Sequence, residues 1–198
     1  MNTPLLAIFM TIVSYFIGSI SSAIVICRMM GYPDPRSQGS NNPGATNVLR
    51  IGGKKAAAFV LVFDVLKATL PVLLGHALGL SYGQLSLIGM AAVVGHIFPI
   101  YYQFEGGKGV ATALGMYFGL NWLFGLACAI VWLATAKLSK YSSLSSLVMV
   151  GSAPFIAVAL LHSYFIFIPL AVVSLVVTIR HKENIARLKA GTESQTKI

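Results

Sequence analysis

The chain has 198 residues, 57% of them hydrophobic and only 10% charged, with 14 Lys and Arg against five acids and a net charge of +9. An ordinary soluble domain carries about 25% charged residues, so this composition excludes a water-soluble globule, whose surface would be one broad apolar patch. The bases stand singly between apolar runs, which argues against a nucleic-acid partner and for a charge bias set by membrane topology. Cys27 and Cys128 form neither a disulfide framework nor a metal-ligand spacing.

A helix needs ~20 apolar residues to cross the hydrocarbon. Pro4–Cys27 meets this, and no charged side chain precedes Arg28, which predicts an uncleaved first span with its N-terminus outside. Ala56–Gly79 follows, interrupted by Asp64, Lys67 and Pro71, and then Gln84–Phe104. Val110–Gly119 is short, about half a span. Trp122–Ala136, Leu144–Leu161 and Tyr164–Ile179 complete the series.

Counting the short segment gives seven spans, and the positive-inside rule favours that count. It gathers Arg28, Arg36, Arg50, Lys54, Lys55, Lys108, Lys137, Lys140, Arg180, Lys182, Arg187, Lys189 and Lys197 on inner segments and leaves the outer ones without a base. The expected fold is all-α and polytopic: one domain over residues 1–198, about seven transmembrane helices, N-terminus outside and C-terminus inside. The variant of this fold has five full spans with two short ones acting as a broken pair. The polar tail Thr192–Ile198 is expected to fray.

Three inner segments are too polar for lipid. In the first, Gly39 and Gly44 permit backbone that aims several N–H groups into one space, and Ser40, Asn42, Thr46 and Asn47 add side-chain donors. Pro43 suits a first helical position, so Gly44, Ala45 and Thr46 would present unpaired N–H groups, with Arg50 one turn later. Together they fit a phosphate; a turn-rich connection with an Asn cap fits the same composition. In the second segment Gly106, Gly107 and Gly109 frame Lys108 ahead of a helix, again a place for an anion, though the spacing is not that of a Walker A loop. His96 nearby reads on its own as a hydrogen-bonded structural residue.

In the third segment His181, Asn184 and Arg187 share a helical face at three-residue spacing. A basic amphipathic helix on anionic lipid heads explains the bases there, but not the His and Asn. Asp64 and Lys67, three apart inside a span, are functional candidates by position and equally a self-neutralising pair. No Ser-His-Asp order, Gly-x-Ser-x-Gly elbow, His-x4-Asp pair or metal-ligand spacing is present, which argues against a protein nucleophile or a metal.

These segments resemble the bacterial acyl-phosphate:glycerol-3-phosphate acyltransferases, the PlsY family. The first motif is Gly39-Ser40-Asn41-Asn42-Pro43-Gly44-Ala45-Thr46-Asn47 with Arg50. The second is Gly95-His96 with Phe98-Pro99, then Gly106-Gly107-Lys108-Gly109-Val110-Ala111-Thr112. The third is Arg180-His181, Asn184, Arg187, Gly191 and Glu193. The resemblance implies a multi-pass protein of the bacterial inner membrane with its site at the cytoplasmic face. It implies transfer of a fatty acyl group from acyl phosphate to the 1-hydroxyl of glycerol 3-phosphate, giving lysophosphatidic acid and phosphate, without metal or cofactor. Lys108, His181 and Asn184 are the expected catalytic group, and Gly39, Ser40, Asn42, Gly44, Ala45, Thr46, Asn47, Arg50, Gly106, Gly107 and Gly109 the expected substrate-binding group. Asn41 stands where the family often has a small residue.

Acyl phosphate is a mixed anhydride and already activated, so positioning and oxyanion stabilisation suffice. No carboxylate is patterned in the sequence to orient His181 as a base, which favours a phosphate oxygen of the donor as proton acceptor. A transporter of a phosphorylated metabolite also uses glycine-rich broken helices. Against it, the two halves show no repeat, and the polar motifs cluster on one side of the membrane. A lipid-binding scaffold leaves the Gly and Asn pattern without a role.

Overall fold

In the computed structural model, which describes residues 3–195, every regular element is helical. The order is α1 (Thr3–Gly18), α2 (Ser22–Met29), α3 (Ala45–Ala77), α4 (Tyr82–Ile97), α5 (Val110–Leu120), α6 (Trp122–Ser139), α7 (Ser142–Leu161), α8 (Phe167–Arg180) and α9 (Lys182–Lys189). Lys197, one of the bases expected inside, lies outside the described residues.

Five stretches are long and apolar enough to cross a membrane: Thr3–Met29, Ala45–Ala77, Tyr82–Tyr102, Trp122–Ser139 and Ser142–Leu161. The bent pair of α8 and α9 makes a sixth, with 61° between its halves. α5 has 11 residues, about 16 Å at 1.5 Å per residue and roughly half the hydrocarbon thickness. The protein is thus a multi-pass membrane protein, with five to six full-length spans and one short apolar helix among the described residues. Lipid is the solvent its outer faces require: Leu5, Phe9, Ile12, Leu70, Leu74, Phe155, Ile168 and Leu175 all point outward.

The helices approach closely where side chains are small. A Cβ on Gly18 of α1 would lie 2.2 Å from the Ala92 carbonyl oxygen of α4, and one on Gly115 of α5 would lie 2.1 Å from the Val65 carbonyl oxygen of α3. Bare backbone at such crossings gives van der Waals packing that lipid cannot match. Tyr117, Met116, Leu85, Ile88, Leu120, Phe124 and Met149 fill the space between these crossings with essentially no exposure.

The expected first span is broken between α1 and α2. Its interruption leaves the Ile20 carbonyl without a helical partner, and Lys67 of α3 donates to it at 3.1 Å. Lys67 Nζ also lies 2.8 Å from Asp64 Oδ1 and 2.7 Å from His96 Nδ1, and Ser22 Oγ donates to Asp64. Asp64 and Lys67 therefore do neutralise each other. The second span starts far earlier than expected because α3 runs on from Ala45 through a kink at Gly53, whose φ is +75°. Pro71 is accommodated inside that helix.

The connections gather at two ends. At one, His76 at the end of α3 meets the Leu120 carbonyl at the end of α5, and Gln84 reaches Thr3. At the other, the α2–α3 and α4–α5 loops, the start of α7 and α9 converge.

Candidate active site

The α2–α3 loop is folded by one side chain. Asn47, in the first turn of α3, is 2% exposed. Its Oδ1 accepts the Ser40 N–H at 2.9 Å, and its Nδ2 donates to the Pro35 and Gln38 carbonyls, both at 2.9 Å. Asn47 was expected to face a phosphate; its amide is instead wholly engaged inside the loop, because one Asn can close a turn-rich segment that lacks backbone pairing. The same bond occupies the Ser40 N–H, and Gly44 N–H is spent on the Asn42 carbonyl at 2.9 Å.

Gly39 needs to be glycine: its φ is +63°, and a Cβ would lie 2.3 Å from Asn47 Oδ1. Gly44 does not need it for conformation. Its backbone is extended at φ −144°, and a Cβ would meet only the mobile end of Asn42 at 2.9 Å. Helix α3 begins at Ala45 with Gly44 as its N-cap, two residues after the start expected at Pro43, so the Ala45 and Thr46 amides open its N-terminus. Ser40, Thr46 and Arg50 are exposed and Asn42 is half-buried.

The α4–α5 loop packs back on the end of α4. Gly107 N–H donates to the His96 carbonyl at 3.2 Å. A Cβ on Gly106 would lie 2.1 Å from that carbonyl oxygen, and one on Gly107 would lie 2.2 Å from His96 Nε2 and 3.1 Å from the Pro43 carbonyl oxygen. Gly106 and Gly107 thus serve the approach of three chain segments. Gly109, at φ +86°, caps α5.

Lys108 reaches across to α9, where its Nζ donates to Asn184 Oδ1. Asn184 Nδ2 donates to Glu193 Oε1 at 2.7 Å, and Arg187 Nε donates to Glu193 Oε2 at 2.7 Å. Burial first, and then the Arg187 guanidinium, lower the Lys108 pKa below the ordinary lysine value. Burial raises that of Glu193, but the bonds from Asn184 and Arg187 outweigh it and hold the carboxyl below its usual range. Arg50 Nη2 bonds Ser194 Oγ at 3.1 Å, which ties the first loop to the chain end. The tail expected to fray is therefore anchored at Glu193 and Ser194; residues 196–198 lie outside the described range.

His181 follows the last residue of α8 and is 3% exposed. Its Nδ1 lies 2.8 Å from the Val177 carbonyl. A carbonyl can only accept, so Nδ1 carries the proton and Nε2 is left as an acceptor. Burial pushes the His181 pKa down to about 4. No carboxylate pairs with His181 among the described residues.

A cleft of about 350 Å³ opens beside these groups, lined by Arg36, Asn41, Pro43, Phe104, Glu105, Gly106 and Arg180. Arg180 Nη2 holds the Gly106 carbonyl at 3.0 Å, and Arg36 pairs with Asp34 at 2.8 Å and approaches Glu105 at 3.8 Å. The Arg36 hydrogen bond holds the Asp34 carboxyl below the usual carboxylate range. Sequence reasoning missed Arg36 and Glu105 as cleft residues, and their only signal was position, close to Gly39 and Gly106 of the recognised motifs; Arg180 stood in the third motif but was not among the expected catalytic or binding residues.

The fold and the cleft define a multi-pass membrane protein with cationic and amide donors massed at one end of its bundle. The sequence matches the family described as glycerol-3-phosphate acyltransferase over residues 8–191. It is 53% identical to the glycerol-3-phosphate acyltransferase of Pectobacterium carotovorum over 96% of this chain and 89% of that one. Its identity to the corresponding protein of Shewanella loihica is 48%, over 98% and 95% of the two chains. The fold resembles the crystal structure of PlsY, an integral membrane glycerol 3-phosphate acyltransferase, in its glycerol 3-phosphate form, with a TM-score of 0.91 and 36% identity over 96% of each chain. The lysophosphatidic acid form of that protein gives a TM-score of 0.88 over 96% and 94%. The chain belongs to the glycerol-3-phosphate acyltransferase family.

Proposed function

We propose that the protein transfers a fatty acyl group from acyl phosphate to the 1-hydroxyl of glycerol 3-phosphate, releasing lysophosphatidic acid and inorganic phosphate. The observation that carries this reading is the meeting of Lys108, Asn184, Arg187, Glu193 and His181 from two distant segments beside the amide-bearing loop that starts α3. Membership of the family supports it.

Lys108, Asn184 and Arg50 bind and orient glycerol 3-phosphate, with Arg187 and Glu193 fixing the Asn184 amide. The Ala45 and Thr46 amides, with Ser40 and Asn42, receive the donor phosphate, and the acyl chain runs out between helices into lipid. Gly39, Gly44, Gly106, Gly107 and Gly109 shape the two loops around these groups. The hydroxyl oxygen attacks the acyl carbon, the bond from that carbon to the phosphate oxygen breaks, and phosphate leaves.

The proton has to go to a group that accepts it near neutral pH. His181, held near 4, is a weak base there, whereas a phosphate oxygen has a second pKa of roughly 6. His181 Nε2 therefore orients the hydroxyl as a hydrogen-bond acceptor, and the departing phosphate carries the proton away. The activated donor needs no metal and no cofactor.

Seven crossings, with α5 as a short one, put the N-terminus outside and the site at the cytoplasmic face of a bacterial inner membrane. The absence of Lys and Arg from the outer connections supports this orientation.

The test is a purified-protein assay with labelled glycerol 3-phosphate and, in parallel, acyl phosphate, acyl-CoA and acyl-carrier protein as donors. Lysophosphatidic acid is expected from acyl phosphate. Uptake of glycerol 3-phosphate into sealed vesicles without acylation would instead identify a transporter.

A further inference from the structure

His96 is a second buried histidine in the neighbourhood, and the reaction as described does not use it. It sits in the last turn of α4, 8% exposed, between the buried Asp64–Lys67 pair and the two glycines of the α4–α5 loop. The Lys67 ammonium has three protons and three acceptors within reach: Asp64 Oδ1 at 2.8 Å, the Ile20 carbonyl at 3.1 Å and His96 Nδ1 at 2.7 Å. An ammonium can only donate, so Nδ1 is held as an acceptor and the imidazole proton is forced onto Nε2. Asp64 Oδ1, at 3.4 Å from Nδ1, is the poorer partner for that nitrogen.

Nε2 has no hydrogen-bond partner among the described residues. It projects against Gly107, in the space a Cβ would fill, where the Pro43 carbonyl of the first loop also arrives. A donor is thus fixed in direction at the seam between the N-terminal approach of α3 and the glycine-lysine loop that precedes α5.

We propose that His96 Nε2–H donates to a phosphoryl oxygen bound at this seam, with Asp64 and Lys67 as positioning residues that fix the tautomer. The inference rests on the acyl-transfer reading above and adds a neutral donor to its two loops. A neutral donor suits a place where two anionic substrates meet. It can bind a phosphoryl oxygen without holding the leaving phosphate by a full charge. The phosphoryl oxygen belongs either to the acyl donor or to glycerol 3-phosphate, and kinetics separate the two.

The test uses the purified full-length protein. His96→Leu should raise the KM of one phosphate substrate roughly tenfold while kcat changes far less, as expected for loss of a hydrogen bond to a charged acceptor. The substrate whose KM moves identifies which phosphate is bound. His96→Gln, whose amide nitrogen can stand where Nε2 stands, should recover most of the loss. Unchanged KM values for both substrates in His96→Leu, together with a lowered melting temperature, would overturn the proposal and leave His96 a packing residue.

Should His96→Leu fail to fold, the wild-type protein decides the question by histidine ring-nitrogen NMR with inorganic phosphate as the probe. The His96 proton should be on Nε2 and its resonance should move on addition of phosphate. A proton on Nδ1, or a resonance unmoved at saturating phosphate, overturns the inference. A wild type inactive with acyl phosphate and glycerol 3-phosphate would sink the reaction assigned above, and the phosphate titration would still decide His96.

Discussion

Replacing Asn47 with Ala separates two roles for that residue. Its amide makes three hydrogen bonds, to Ser40, Pro35 and Gln38. At about 0.5–1.5 kcal/mol each, their sum is about 1.5–4.5 kcal/mol. Ser40 and Gln38 are exposed, so water replaces two of them in part, whereas the bond to Pro35 is buried. A net cost of roughly 2 kcal/mol is the reasonable figure, and it falls on the folded loop and spares the bundle. A ligand that binds only the ordered loop then loses apparent affinity in proportion to the population lost, by up to roughly 30-fold.

Donor kinetics and amide exchange over residues 37–41 measure the two sides of this prediction. The KM for acyl phosphate should rise, exchange in the loop should accelerate, and the melting temperature of the helical core should stay near wild type. If Asn47→Ala raises the donor KM while loop exchange is unchanged, the amide touches the ligand and the loop-folding account is refuted.

Lys108→Ala should lower kcat/KM for glycerol 3-phosphate at least tenfold with the fold retained, because a charge-assisted contact contributes about 1.5–3 kcal/mol; steady-state kinetics and circular dichroism check it. Because the Lys108 pKa is lowered, its charge is lost on the alkaline side at a lower pH than for free lysine. The KM for glycerol 3-phosphate should therefore climb there, and Lys108→Arg should flatten that limb. Gly39→Ala should damage donor use far more than Gly44→Ala, since only Gly39 has a positive φ and meets Asn47 Oδ1; varied-donor kinetics test the order. With Cys27 and Cys128 replaced, Ser163→Cys should label from outside intact cells and Lys140→Cys only after permeabilisation; equal labelling from outside would overturn the topology.

Much of this fold was legible in sequence, because lipid burial writes itself as uninterrupted apolar runs. Helices α6 and α7 lie within about three residues of the expected Trp122–Ala136 and Leu144–Leu161. The break between α1 and α2 was not legible. Ser19, Ile20 and Ser21 carry no Gly or Pro signal of their own. Their non-helical backbone is supported by Lys67, 47 residues away for Ile20, and sequence period sees nothing at that range. A helix start near Pro43 was legible, but its continuity with the second span was hidden, because the first turns of α3 are polar and its kink falls at one of two adjacent glycines, Gly52 and Gly53.

The candidate site divides in the same way. Residue types marked the three segments as places for anions, but the partners inside each segment are set by tertiary structure. Asn47 illustrates this: an Asn beside glycines reads as a ligand donor, and here it is the core of its loop. His96 shows the converse. It reads as a lone structural histidine until Asp64 and Lys67, 32 and 29 residues earlier in the chain, are seen against its ring.

The end of α4 holds the two loops in register. The His96 carbonyl accepts Gly107 N–H and abuts Gly106, Arg180 of α8 grips the Gly106 carbonyl, and the Pro43 carbonyl comes up to Gly107. Each contact is individually modest, about 0.5–1.5 kcal/mol for the neutral Gly107 bond and about 1.5–3 kcal/mol for the charged Arg180 donor. They nevertheless share one turn of backbone, so disturbing any one displaces groups on both sides. A side chain at Gly106 cannot be absorbed by a rotamer change, because its neighbour at 2.1 Å is a main-chain carbonyl. Gly106→Ala is therefore expected to impair use of both substrates. Lys108→Ala, whose side chain reaches only toward α9, is expected to impair one. A Gly106→Ala enzyme that changes the KM of a single substrate would mean that the loops move independently and that α4 does not join them.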